Sequence, residues 1–121
     1  MKYLLLIYHN EQRWNEISEA ERQVMYGEYR TLREQLISQG KYLDGSQLEP
    51  TETAASVRVR DGKDLVTDGP FAETHEQLGG YFLVEVKTRE EAVAIAAQIP
   101  SARMGTVEVR ALVERVAEAN A

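Results

Sequence analysis

An α+β fold, with a four-stranded antiparallel sheet and two helices on one of its faces, is predicted by three features of this 121-residue sequence. The apolar pattern changes between a two-residue and an about 3.6-residue period in the order strand, helix, strand, strand, helix, strand. Both helical stretches open on a capping box, Ser18 to Glu21 and Thr88 to Glu91. An Asp61-Gly62 pair flanked by β-rich runs adds a hairpin between the second and third core strands, because both residue types tolerate positive φ.

Each element follows from its residues. Lys2 to Tyr8 is rich in Leu, Ile and Tyr without polar alternation, the signature of a strand buried on both faces. Asn10 to Ile17 reads as a loop carrying Trp14, the sole tryptophan. Met25, Tyr29, Leu32 and Leu36 recur at helical spacing and predict a helix over 18–39, stopped by Gly40 in a left-handed conformation. Gly27 lies inside that helix, where a close helix contact would account for it. Lys41 to Leu48 forms the second strand. Ser56 to Arg60 and Asp64 to Thr67 form the hairpin, with Val57 opposite Val66. Tyr81 to Val86 alternates, Phe82, Val84 and Val86 sharing one face. Ala92, Ile95, Ala96 and Ile99 form the stripe of a second helix, stopped by Pro100. Thr106 to Val113 is the last strand, with Val107, Val109, Ala111 and Val113 inward. Residues 1–113 make one domain, and 114–121 a polar, alanine-rich tail.

Composition excludes several classes. With 43% apolar and 28% charged residues, the chain has ordinary globular composition. Its longest apolar run, Tyr3 to Tyr8, is too short to span a bilayer and lacks the pattern of a secretion signal. The absence of cysteine rules out disulfides and thiolate chemistry and suits a cytoplasmic location. A net charge of −6 without a Lys/Arg cluster argues against direct nucleic-acid binding.

With the hairpin set aside as an insertion, the element order is that of a ferredoxin-like βαββαβ fold. Strand one then lies between the third and fourth core strands, antiparallel to both. Its end, Tyr8 and His9, faces the start of the third strand at Gly80 and Tyr81. The run Asp68-Gly69-Pro70-Phe71-Ala72-Glu73-Thr74-His75-Glu76-Gln77-Leu78-Gly79-Gly80-Tyr81 therefore delivers its acids and His75 to that end of the sheet. Strand one is apolar on both sides, so the sheet face without helices needs a cover; a second copy with two-fold symmetry is the simplest.

Within the dense run, Asp68-Gly69-Pro70 is turn chemistry, with Phe71 as an anchor beneath the loop. Glu73 and Glu76, at i and i+3, face one side if they share a helical turn, and Thr74 to Gln77 has capping-box form. A histidine side chain suits proton transfer, which makes His75 a candidate, with His9 at the strand end as another. Tyr8, Tyr81 and Trp14 can line an apolar pocket with polar rims, or serve as core and dimer contacts. Arg110 pairs Glu108 or Glu85, or meets an anionic ligand. The histidine and carboxylate spacing matches no metal-ligand motif, and Gly79-Gly80 precedes no helix that would cradle a phosphate. No metal and no cofactor are assigned.

The run from Asp68 to Thr74, together with Glu76, Leu78-Gly79-Gly80-Tyr81, Pro100, Glu108-Val109-Arg110 and the opening Met1 to Tyr8, resembles the DGPF branch of the YCII-related family over residues 1–113. The chain departs from the family pattern at His75, where Lys is more usual, and at Ala111, where Pro is usual. The resemblance implies a dimeric α+β barrel of ferredoxin-like protomers. It also implies kinship with small enzymes of the same superfamily, and a link to transcription, since some family members are encoded beside sigma-factor genes.

The reading that results is a cytoplasmic homodimer binding a small organic molecule at one end of the sheet. Its chemistry would be cofactor-independent proton transfer by Asp68, His75, Glu73 and Glu76, with Tyr8, His9, Tyr81 and Arg110 as ligand contacts. The competing reading is a non-catalytic regulatory or protein-interaction module linked to transcription.

Overall fold

The computed structural model describes residues 1–114. Residues 115–121 of the expected tail lie outside the described residues. The chain runs β1 (Lys2–His9), α1 (Glu11–Glu16), α2 (Glu19–Ser38), β2 (Tyr42–Gln47), β3 (Ala55–Arg60), β4 (Lys63–Asp68), β5 (Gln77–Glu85), α3 (Arg89–Gln98) and β6 (Thr106–Ala111). Short 3₁₀ segments occupy Thr51–Thr53 and Pro100–Arg103. Four strands form one sheet in the order β2-β5-β1-β6, every neighbour antiparallel, and β3 and β4 form a separate ribbon. This is the ferredoxin-like arrangement with an inserted hairpin.

The helices begin and end where the caps dictate. The Ser18 hydroxyl accepts from Glu21 N at 3.1 Å, and the Thr88 hydroxyl from Glu91 N at 3.1 Å. Glu91 reaches back to Lys87 N at 2.9 Å, one residue before the cap. At the end of α2, Gly40 has φ 71°, its N–H donates to Ile37 O, and Lys41 N–H donates to Leu36 O. This is the Schellman arrangement, which satisfies carbonyls that the helix leaves open.

Alternate residues of β1 and β5, with Val86 just beyond β5, meet both long helices in one core: Tyr3, Leu5, Ile7, Phe82, Val84 and Val86 against Leu32, Leu36, Ala92, Ile95 and Ala96, with Ile99 at the end of α3. Leu5, Val84, Ala92 and Ile99 are completely enclosed. Burying such a side chain contributes about 1.5–3 kcal/mol for the larger residues. In the ribbon, Asp61 and Gly62 take φ 52° and 73°, and Val57 pairs Val66. No helix among the described residues is long and apolar enough to cross a membrane.

Several local expectations are corrected. Residues 11–16 form a helix rather than a loop, because Asn10 caps it by accepting from Arg13 N at 3.1 Å. Its residues carry no apolar period, so the pattern gave no helical signal. β5 starts at Gln77 rather than Tyr81, extended by pairing with the end of β1 at His9. In β6, Val107 and Val109 pack on the core, but Ala111 is exposed and Val113 is 79% exposed, beyond the last pair with β1. Residues 69–76 contain no helical turn. There the Thr74 hydroxyl donates to Glu76 O at 2.5 Å and Gln77 Nε2 to Thr74 O at 2.6 Å, so neither caps a helix. Phe71 anchors nothing, being 81% exposed. A Cβ at Gly27 would meet no atom of the described residues within 4 Å outside its own helix backbone, so no close contact there requires that glycine.

Candidate functional site

β1 alternates its side chains, so His9 leaves the strand on the side of Tyr3, Leu5 and Ile7, facing the helices. Its ring stacks on Trp14, with centroids 5.8 Å apart and planes at 17°. Trp14 comes from the short helix α1 and meets the edge of Tyr26 at 5.8 Å. Room for the imidazole is made by β5. The register between β1 and β5 slips between Ile7 and Tyr8, which leaves Gly79 as an extra, unpaired residue. A Cβ on Gly79 would lie 2.8 Å from His9 Nε2, so only glycine leaves the ring in place. Gly80 lies equally close to β2, where a Cβ would sit 2.9 Å from Ser46 O.

These groups border a cavity of about 230 Å³ between α2 and the end of the sheet. α2 contributes Tyr26, Tyr29, Arg30 and Arg33; β2 contributes Gly45, Ser46 and Gln47; the sheet contributes Ile7, Gly80 and Phe82. Tyr29 and the buried Ser101 share a hydrogen bond of 2.6 Å between their hydroxyls. Burial raises the Tyr29 pKa, against the weaker pull of that bond. Burial also lowers the pKa of His9, while the charges of Glu11 and Glu76 oppose it. Burial thus favours the neutral imidazole, the form that accepts a proton, and the charges of Glu11 and Glu76 partly offset the cost of the cation that results.

The residues singled out from the sequence as catalytic or ligand contacts do not gather at one place; of them only His9 lines the cavity. His75 and Glu73 line a neighbouring open cleft with Asn10, Glu11, Gln12 and Thr51. The loop does fold over the tip of β1: Asn10 Nδ2 donates to His75 O at 3.2 Å, and Glu11 N donates to Gln77 Oε1 at 3.0 Å. Glu11 in turn accepts from Thr51 N at 3.1 Å and the Thr51 hydroxyl at 3.2 Å. Asp68 ends β4 opposite Ala55, is exposed, and lines neither the cavity nor the cleft. Glu76 is half-buried and lines neither, although its charge reaches His9.

Tyr8, Tyr81 and Arg110 belong to the opposite face of the sheet. Tyr8 pairs Leu78 and Thr106, Tyr81 pairs Leu6, and Arg110 pairs Leu4. The Tyr81 hydroxyl donates to Asp44 at 3.2 Å, and the Asp44 charge raises the Tyr81 pKa. Arg110 forms an ion pair with Glu108 on its own strand. Among the described residues no group of three or more His, Asp or Glu side chains is placed to hold a metal ion.

Tyr26, Arg30 and Arg33 escaped the sequence reading. They fall at i, i+4 and i+7 beside the apolar stripe of α2, a second stripe on the border of its buried face. That spacing, tyrosine and arginine in register, was the available signal.

Fold and site together define a class: a ferredoxin-like α+β protomer with an aromatic and arginine-lined cavity where the central strand ends. The model of the YCII-related domain matches residues 1–115, and the chain belongs to that family. It is 33% identical over 114 residues to an uncharacterised protein of Rhizobium meliloti, an alignment covering 93% of this chain and 92% of the relative.

Proposed function

We propose that this YCII-related protein binds a small organic molecule in the cavity beneath α2 and transfers a proton to or from it through His9. The observation that carries this is a half-buried imidazole in the cavity wall, stacked on Trp14, with burial holding it uncharged. A cavity with aromatic walls and a few polar groups suits a ligand smaller than a drug molecule. Proton transfer by a positioned imidazole needs no cofactor. His9 serves this role better than His75, which is exposed, and Asp68 is not placed to orient either ring.

The open sheet face supports a homodimer. Leu4, Leu6, Tyr8, Leu78, Tyr81 and Leu83 form a half-buried apolar centre, with Asp44, Glu108 and Arg110 around it. An apolar centre with a charged rim is the anatomy of an association surface. A cysteine-free chain suits the reducing cytoplasm.

Fragment screening by amide and side-chain chemical shifts tests the site. Perturbations clustered on His9, Trp14, Tyr26 and Arg33 are the expected result. Fragments that shift only other regions would remove the cavity as the binding site. For a fragment that binds, exchange of a carbon-bound hydrogen with deuterated solvent, lost in His9→Gln, tests the proton transfer.

A further inference from the structure

We infer that the cavity selects an organic anion, a ring-sized apolar body ending in a carboxylate or phosphate, which Arg30 and Arg33 hold. This inference rests on the reading of the cavity as the ligand site. The charge distribution carries it. The protein is acidic, with 20 Asp and Glu against 14 Lys and Arg. Yet among the described residues no acidic residue lines the cavity, while two arginines do.

Four side-chain cations form ion pairs, Arg22 with Glu19, Lys41 with Glu91, Arg103 with Glu28 and Arg110 with Glu108, while Arg30 and Arg33 stand out by their place on the cavity. Arg30 and Arg33 have no acidic partner among the described residues. Spaced i and i+3 on α2, they border the same cavity. Arg33 is half-buried and Arg30 exposed, so both charged heads can be reached from the cavity mouth. Trp14, Tyr26 and Phe82 offer apolar surface to the rest of the ligand. A planar guanidinium fork matches carboxylate and phosphate oxygens in two-point contact. Arg30 and Arg33 are assigned as specificity residues, distinct from the proton-transferring His9.

Trp14, the only tryptophan and a wall of the cavity, is a built-in reporter. Its fluorescence is titrated with benzoate, phenyl phosphate and the neutral benzamide. The expected result is tighter binding of at least one anion than of benzamide, by about tenfold or more, weakening as salt is raised. Arg33→Gln and Arg30→Gln, checked for folding by circular dichroism, bring that anion down to the benzamide level and leave benzamide unchanged. Which anion binds tighter identifies the head group. Equal binding of anions and benzamide overturns the anion inference but leaves the cavity as a ligand site. Loss of benzamide binding in the arginine variants overturns it too, by making the arginines structural. No response to any of the three probes overturns the inference; the fragment screen then decides the cavity itself.

Discussion

The two histidines of this chain stand at the same end of the sheet, and their surroundings differ. His9 is half-buried, stacked on Trp14 and set in the wall of a cavity. His75 is exposed in an open cleft, and its recorded hydrogen bond runs through its backbone carbonyl, not its ring. The sequence around His75 is far denser in reactive groups. Burial and ring contacts, however, come from elements distant in the chain, and they decide which imidazole is held at a defined place and charge. Chemical density along the chain marks a loop that must be shaped; it does not by itself mark a site.

The largest expected difference is kinetic. Once a substrate is in hand, His9→Gln should lower kcat/KM by about 10²–10⁴-fold, the usual contribution of a positioned acid or base. The combined His75→Gln, Asp68→Ala variant should lower it by less than about tenfold. Steady-state kinetics on the two variants decide between them, and a reversed order would return the chemistry to the loop.

Gly79→Ala attacks the contrast from the backbone. Its Cβ would stand 2.8 Å from His9 Nε2, so the ring must leave its stack or the strands must shift. Overpacking of this kind costs about 1–3 kcal/mol. A lower Tm with a changed Trp14 emission is the expected outcome. Unaltered emission and Tm would show that the ring has room to spare.

Acidification separates the buried ring more gently. The folded-state pKa of His9 lies below its ordinary 6.5, chiefly through burial, with Glu11 and Glu76 opposing. As pH falls below 6.5 the unfolded chain takes up a proton that folded His9 resists. Unfolding therefore binds protons, and stability falls with falling pH across the window between the two pKa values. Above that window both states carry a neutral ring and the contribution is flat. Denaturant midpoints measured in small pH steps should show this loss in the wild type and not in His9→Gln.

The smallest effect is a control on the same helix that carries the arginines. A Cβ at Gly27 would meet no atom of the described residues within 4 Å outside its own helix backbone, so Gly27→Ala should stabilise α2 by about 0.4–1 kcal/mol. A higher Tm with unchanged ligand affinity is expected. A change in affinity would tie the cavity to the flexibility of α2.

Much of the fold was legible because it is written in short-range patterns. Ser18, Thr88 and Gly40 bounded the helices, and Asp61-Gly62 set the hairpin register, through bonds spanning a few residues. α1 was not legible, since its residues bury no apolar stripe and its helix rests on the Asn10 cap. The slip at Gly79 was hidden as well. One extra residue in a two-residue period changes the facing of everything beyond it, and the pattern of β5 alone carries no trace of its partner's register.

By itself, then, the sequence determined the ferredoxin-like order of elements and the family, because periodicity, caps and turns are local consequences of side-chain chemistry. Tertiary structure alone decided which groups meet. It turned Tyr8, Tyr81 and Arg110 to the open face, left Asp68 on the ribbon, and enclosed His9 with Trp14, Tyr26 and Arg33. Burial and proximity are properties of several elements packed together, and no single stretch of chain contains them.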